Sequence, residues 1–344
     1  MKTFLAGISP DELKNYLLAK GQPAFRGKQI ADWLYKKTCL DPAQMLNLPA
    51  GLRQMVAADF FAPSSTIAAI DASGDGVEKL LLTLHDGETI EMVVIPADER
   101  VTFCLSTQVG CPVGCRFCAS GKNGFTRNLK CGEMLEQFLH GCQRAGKPDN
   151  IVFMGIGEGL LNFDELAKTL EILTAPEYFA MSPRRITVST SGYIPGMERF
   201  ARLKKEYNLA VSLHAVTDDI RAKLIPPNVR YGINDILDAA DRCRDANGRQ
   251  YTLEYTMISG INDDLASAEK LGAIAKAHHA KVNLIPYNST GGEFRRPEKS
   301  VIEAFQQTVA ATGARVTRRV ERGGKKTAAC GQLRIHHQNS GDDK

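Results

Sequence analysis

The chain has 344 residues, with 43 Lys+Arg against 39 Asp+Glu, a formal net charge of +4, and 43% hydrophobic and 24% charged residues. These values exclude a mainly disordered chain and a small scaffold that depends on covalent staples, and the mean charge is too weak to demonstrate a nucleic-acid partner. Nine cysteines, with Cys111, Cys115 and Cys118 close together, do not form the even, dispersed pattern of a secreted disulfide framework.

Taken in chain order, Ser9 to Lys20 and Phe25 to Lys37 read as short amphipathic helices. The first opens on Ser9-Pro10-Asp11-Glu12, a helix-start signal with Pro at the first helical position. The same break leaves no apolar signal-peptide core, and no run of eighteen uncharged apolar residues follows, so no membrane span and a reducing, cytoplasmic setting are expected. A helical patch near Gly51 to Phe61 precedes strand-like runs at Thr66–Ile70, Lys79–Leu84 and Thr89–Ile95, with turns at Ser73-Gly74-Asp75-Gly76 and Asp86-Gly87.

From Val101 the rhythm becomes strand, loop, helix. Strands are expected at Val101–Ser106, Asn150–Met154, Arg185–Thr190, Leu209–Leu213, Tyr251–Met257 and Lys281–Pro286. Helices are expected between them at Gly132–Ala145, Asp164–Leu173, Gly196–Lys205, Gly232–Ala246 and Leu265–Ala277. A helix at Lys299–Thr312 and a strand at Ala314–Val320 complete the pattern. Six βα units predict an α/β fold with a parallel sheet, closed or partly closed. The expected division is a small α+β accessory domain over 1–97, a barrel with a C-terminal catalytic segment over 98–335, and a polar tail over 336–344.

Cys111-Pro-Val-Gly-Cys115-Arg-Phe-Cys118 follows the first barrel strand. Thiols at spacings of four and three can ligate three corners of a cubane iron–sulfur cluster and leave a fourth iron open. Structural zinc is the competing reading of the spacing. Near the other end, Arg315, Arg318, Arg319, Arg322, Lys325 and Lys326 surround a single acid, Glu321, which makes a local charge of +5 hidden by the average. Such a patch suits phosphates, although a solvated basic face has the same composition. Arg26, Lys28, Lys36-Lys37 and Arg184-Arg185 extend the basic set, whereas His278-His279 and His336-His337 have no ligand spacing.

CxxxCxxC at the end of the first strand of a βα barrel resembles the radical S-adenosylmethionine (SAM) superfamily. PAFRGKQIADWLY, STQVGCPVGCRFCASGKNGFTRNL, NIVFMGIGEGLLNF, SPRRITVSTSG, LAVSLHAVTDDIRAKLIPPN, EYTMISGINDD, KVNLIPYN and AACGQL together resemble the RlmN/Cfr family of RNA adenine methyltransferases. The resemblance implies a partial (β/α)6 radical SAM barrel whose Cys111, Cys115 and Cys118 hold a 4Fe–4S cluster. Gly157, Glu158, Ser189, Ser212, Leu213, His214 and Asn288 would line the SAM pocket. The Gly157-Glu158 turn offers close backbone approach and a carboxylate for an ammonium group.

The same resemblance gives Cys330 the role of methyl carrier, Cys104 that of resolving thiol and Glu91 that of proton acceptor. Taken singly, each would read as an ordinary buried or strand residue. The implied partners are 23S rRNA, with tRNA as a second target, and an electron donor such as flavodoxin; a monomer is expected. The implied product is C2 methylation, with C8 methylation or a non-catalytic, metal-bearing RNA-binding protein as the alternatives. Two departures stand out. Gly159 replaces the proline of a usual GEP turn, and Gly323-Gly324-Lys325-Lys326-Thr327 stands where an acidic run is usual.

Overall fold

A computed structural model describes residues 2–122, 124–226, 231–289 and 292–319. The chain begins with β1 (Thr3–Phe4), α1 (Pro10–Ala19), α2 (Phe25–Ala31), α3 (Ala50–Asp59) and β2 (Phe60–Phe61). Ser9 caps α1 reciprocally: its Oγ accepts from Glu12 N and its own N donates to Glu12 Oε2. The expected second helix changes character halfway, passing from α2 into a π-helical turn over Asp32–Lys36. Leu13, Leu17, Ile30, Leu34 and Val56 point inward from these elements and are essentially inaccessible.

Next come β3 (Ser65–Ala72), β4 (Glu78–Leu84), β5 (Thr89–Ala97) and β6 (Arg100–Cys104). A short hairpin, β7 (Gln108–Gly110) and β8 (Phe125–Asn128), brackets the cysteine loop and the short α4 (Ala119–Lys122). The repeating part follows: α5 (Cys131–Ala145), β9 (Asn150–Phe153), α6 (Phe163–Thr174), β10 (Ile186–Thr190), α7 (Ile194–Ala201), β11 (Asn208–Ser212), α8 (Asp218–Leu224) and α9 (Ile233–Asn247). It ends with β12 (Thr252–Met257), α10 (Leu265–Ala277), β13 (Lys281–Pro286), α11 (Lys299–Ala311) and β14 (Arg315–Arg318). Neither the β7–β8 hairpin nor α8 was expected from the sequence pattern.

A single ten-stranded sheet runs in the order β14-β13-β12-β11-β10-β9-β6-β5-β4-β3. From β6 to β14 all neighbours are parallel, as successive βα units require, whereas β3 to β6 form an antiparallel meander. Residue 97, the expected domain boundary, is the last residue of β5, with Ala97 opposite Arg100 of β6 across a tight turn. The meander covers the edge that β6 would otherwise leave unpaired. The described sheet has two ends and is an open, partial barrel.

Alternation along the strands assigns the two faces. Phe103 packs its ring against Phe138 of α5 at 5.9 Å, and a Cβ at Gly141 would approach that ring to 2.5 Å, so Phe103 faces the helical layer. Its neighbour Cys104 therefore faces the barrel interior. No helix among the described residues is long and apolar enough to cross a membrane.

Candidate active site

The cysteine loop is held from both sides. Cys111 N donates to Gly124 O at 2.8 Å, and Arg116 N donates to Leu224 O at the end of α8 at 2.9 Å. Val113, Leu224, Ile225, Ile258, Tyr287 and Phe294 form a small apolar core beneath it, separate from the main one. Gly114 has φ +69°, and a Cβ at Gly121 would come within 3.1 Å of the Cys115 backbone, so both positions suit glycine. Arg127 anchors the hairpin with two 2.8 Å bonds to the Glu133 carboxylate and one of 2.7 Å to Asp86.

Cys111, Cys115 and Cys118 are all partly exposed and are not joined in disulfides. Burial pushes the Cys111 thiol up to about 11 and Cys115 well above its usual range, and the other thiols reinforce both shifts. Bound iron would supply the positive charge that favours thiolates here. Among the described residues, no three His, Cys, Asp or Glu side chains are gathered closely enough for a single ion. Three sulfur donors along one loop fit a larger cluster, which takes its ligands at separate corners.

The loop after β9 is stitched to the exit of β6. Ile156 N donates to Ser106 Oγ at 2.9 Å, and Thr107 N donates to Ile156 O at the same distance. Gln108 donates to Asn128 of β8 and accepts from Glu158 N, each at 2.8 Å, so it links the hairpin to the turn. Gly157 has φ +113°, and a Cβ there would meet Gln108 Cβ and Thr107 Oγ1 at 2.7 Å. Thr107 Oγ1 is itself buried without a hydrogen-bond partner among the described residues, an orphaned polar atom beside the turn where SAM is expected. Gly159 has room for a Cβ, its nearest neighbour being Leu166 Cδ2 at 3.4 Å, so packing does not demand glycine there.

Glu158 is buried. Its Oε1 accepts from Leu160 N at 3.2 Å and its Oε2 from Ser191 N at 2.6 Å. Burial raises its carboxyl above the usual range, and these bonds oppose the shift. Ser189 Oγ donates to Phe153 O at 2.9 Å, and Ser212 is the last residue of β11, followed by the fully buried Leu213.

His214 has φ +57° and lies edge-on to Phe117 in the cysteine loop, with ring centroids 4.8 Å apart. Its Nδ1 accepts from Thr256 N at 3.0 Å, so Nε2 carries the proton. Burial, reinforced by Arg221, pushes its pKa down to about 3 and keeps the ring neutral. Asn262 pins the same corner, donating to His214 O at 2.7 Å and to Thr256 O at 2.8 Å. Asn288 lies just past β13 and accepts from Arg296 at 3.3 Å.

Glu91 and Cys104 lie on adjoining strands. Val93 pairs with Cys104, so Glu91, two residues along, shares its face. Both side chains are buried, and Ser106 Oγ donates to Glu91 O at 2.6 Å. Cys330 lies outside the described residues, as do Arg322, Lys325 and Lys326. Arg315, Arg318 and Arg319 are exposed on and just after β14, whereas Arg184 makes a two-bond pair with Glu206. Lys37 lies 3.8 Å from the Trp33 ring centre and Arg26 lies 4.8 Å from that of exposed Phe25, an aromatic–basic surface.

Three residues of this region had no role in the sequence reading: Gln108, Arg221 and Glu254. Glu254 is in register with the candidate residue Ser212 and with Asn283, which donates to its Oε2 at 2.9 Å. Burial raises its carboxyl to about 7, opposed by Asn283 and Arg319. Only the apolar strand context of Glu254 hinted at this.

The chain matches the family model described as "Radical SAM superfamily" over residues 105–271 and the "Ribosomal RNA large subunit methyltransferase N-terminal domain" over residues 3–61. It is 40% identical over 344 residues to "Probable dual-specificity RNA methyltransferase RlmN" of Akkermansia muciniphila, covering 97% of this chain and 96% of that protein. "Dual-specificity RNA methyltransferase RlmN" of Sulfurovum sp. is also 40% identical, with 95% and 96% covered. A crystal structure of a radical SAM methyltransferase from Sphaerobacter thermophilus superposes with a TM-score of 0.92 at 40% identity, covering 96% of this chain and 98% of that one. The orphaned hydroxyl, the glycine-lined turn and the three-thiol loop thus find their explanation: the chain belongs to the RlmN family of radical SAM RNA methyltransferases, enzymes that use a 4Fe–4S cluster and SAM.

Proposed function

We propose that this enzyme methylates adenosine at C2 in 23S rRNA and in tRNA, through a methylated Cys330. The observation that carries the reading is the interior face shared by Glu91 and Cys104, beside the turn that carries Glu158. A buried base and a buried thiol on one wall are the two groups that must act on an adduct after it forms. The relatives at 40% identity are dual-specificity RNA methyltransferases, and the N-terminal match is to a ribosomal RNA methyltransferase domain, which supports an rRNA target with a second RNA beside it.

In this reading Cys111, Cys115 and Cys118 hold the cluster, and Gly157, Glu158, Ser189, Ser212, Leu213, His214 and Asn288 line the SAM pocket. When bound, the cluster and SAM supply hydrogen-atom abstraction, which activates an otherwise inert methyl group. The Cys330 thiolate first takes that methyl from one SAM and releases S-adenosylhomocysteine. After abstraction the carbon radical bonds to adenine C2, and the oxidised cluster held by Cys111, Cys115 and Cys118 would accept the one electron that the adduct gives up. Glu91 then takes the C2 proton. The Cys104 thiolate attacks Cys330 sulfur, a disulfide forms, the carbon–sulfur bond breaks, and the released carbon is protonated to methyl. Adenine ring carbons next to nitrogen are electron-poor, so direct polar transfer from electrophilic SAM is badly matched.

Residues 1–97 and the arginines of β14 present the RNA, a flavodoxin-type protein donates electrons, and the enzyme works as a cytoplasmic monomer. Nucleoside mass spectrometry of rRNA and tRNA from cells with and without the protein tests the reading. Loss of 2-methyladenosine from both RNA classes is expected. Loss of 8-methyladenosine instead would overturn the C2 assignment, and methylation by Cys330→Ala would overturn the relay.

A further inference from the structure

The sheet face that carries Glu91 and Cys104 holds a third group that the reaction above leaves unused. Lys79 of β4 stands opposite Val93, and Val93 stands opposite Cys104, so the three form one row across β4, β5 and β6. Directly opposed residues share a face. Lys79 is therefore on the same wall as Cys104, and Glu91 joins it two residues from Val93 along β5. The other face of these strands is apolar, with Leu80, Leu82, Ile90, Met92 and Val94 all buried. Lys79 is as inaccessible as they are, only 3% exposed, although lysine is among the side chains least often taken out of water.

Reach and charge say what an ammonium does there. Neighbouring strands lie about 4.8 Å apart, which puts the backbones of Lys79 and Cys104 about 10 Å apart. A four-carbon stem can cover most of that span above Val93. The relay asks this wall to hold two anions in turn, the Glu91 carboxylate that takes the C2 proton and then the Cys104 thiolate. Among the described residues of β3 to β6, the other charged groups on the face are Asp71, opposite Lys79, and Arg100, exposed at the far end of β6. The neighbouring β9 adds neutral Asn150 and Val152. Anions in a buried wall need a counter-charge, and Lys79 is the buried cation within reach.

We propose that Lys79 is a positioning residue that acts through Cys104, favouring its thiolate at the step that frees the methylated base, a role that rests on the Cys104–Cys330 relay described above. In that step the disulfide forms and the bond from Cys330 sulfur to the methylene carbon breaks. The electron pair stays with the carbon, which takes a proton from solvent. Glu91 has become neutral by then, so the field of the ammonium is left to the thiol. A lysine beside a cysteine favours the thiolate, and the thiolate is the nucleophile.

The test uses full-length protein prepared anaerobically with its cluster, incubated with SAM, reductant and unmethylated 23S rRNA. Denaturing gels read the covalent protein–RNA adduct, and nucleoside mass spectrometry reads the product. Lys79→Met is expected to cleave SAM as wild type does and to accumulate adduct. Release of that adduct at pH 7 should be roughly 10- to 100-fold slower than in wild type. Raising the pH to 9 should discharge it, because the thiol then ionises without help. Lys79→Arg, which keeps the cation, should turn over without accumulating adduct. Product formation by Lys79→Met without adduct, an adduct equally stable at pH 7 and pH 9, or accumulation by Lys79→Arg would each overturn the proposal. So would a cluster-loaded variant that cleaves SAM and forms neither adduct nor product, since Lys79 would then act before the adduct. If the Met variant does not assemble its cluster, Lys79→Gln carries the same outcomes. Cys104→Ala is the control: it should accumulate an adduct that pH 9 does not discharge, and product without adduct in that variant would instead sink the relay.

Discussion

Two buried polar clusters lie close together in this fold, and they are built differently. One joins β3 to α5: Glu136 Oε1 accepts from Ser64 N at 2.8 Å, and Glu136 Oε2 accepts from Ser65 Oγ at 2.6 Å. His140 Nε2 completes it, 3.0 Å from the same hydroxyl. The other surrounds the cysteine loop, where Arg221 Nε and Thr107 Oγ1 are buried without partners among the described residues. Both contain acids displaced from their usual range by burial, since Glu136 and Glu158 are both raised. Burial and a shifted pKa therefore do not separate a structural junction from a binding site, and a single orphaned atom does not either, since Ser64 Oγ beside Glu136 also lacks a partner among the described residues. Both clusters spend their carboxylates on the protein; the first leaves a neutral hydroxyl unfilled, whereas the second leaves the Nε donor of a charged guanidinium unfilled among the described residues.

Three substitutions probe that contrast. The largest effect is expected from Gly157→Ala, where the new Cβ would meet Gln108 Cβ at 2.7 Å in a backbone region that L side chains rarely adopt. SAM binding should fall at least ~100-fold as the turn shifts, with global unfolding changed little. Equilibrium dialysis together with urea unfolding separates the two, and intact SAM affinity would show that the turn does not form the pocket. Glu136→Ala should do the reverse. It strands the Ser64 N–H in the interior, leaves the Ser65 hydroxyl with His140 alone, and should cost about 3 kcal/mol of stability while leaving SAM affinity unchanged. A loss of SAM affinity in a folded variant would merge the two clusters into one functional unit.

Glu254 tests the boundary between them, because it stands in register with Ser212 and yet is partnered by Asn283. Its folded carboxyl, raised to about 7 from 4.5, favours the neutral form more than the unfolded chain does. Its contribution to stability is therefore complete below pH 4.5, falls as pH rises toward 7, and is fully lost above that. The loss amounts to at most about 3 kcal/mol. Glu254→Gln should flatten this part of the ligand-free stability profile, measured by urea unfolding between pH 5 and 8. Matching profiles for wild type and variant would show that the carboxyl is not held neutral.

How much was legible beforehand varies with the kind of signal. The parallel strands were readable because buried strands are short apolar runs, and β12 and β13 fall within a residue of the expected ranges. The β7–β8 hairpin was not, because its strands are only three and four residues long and flank a loop broken by Pro112 and glycines. Short α8 was hidden in the same way, although its cap, Thr217 accepting from Ile220 N, is regular. The cysteine triplet was legible because its ligands are neighbours in sequence. Gln108 and Arg221 were not, because their importance lies in partners 50 and 30 residues away.

The sequence by itself determined the family, the close-spaced cysteine triplet and the alternation of strands and helices, because each is written in local spacing. Tertiary structure alone decided that β3 to β5 extend the barrel sheet, that Glu91 and Cys104 share a wall, and that Arg221 is buried with no acid bonded to it among the described residues. Those facts depend on register and on desolvation. Both arise only when distant segments pack and exclude water from the groups between them.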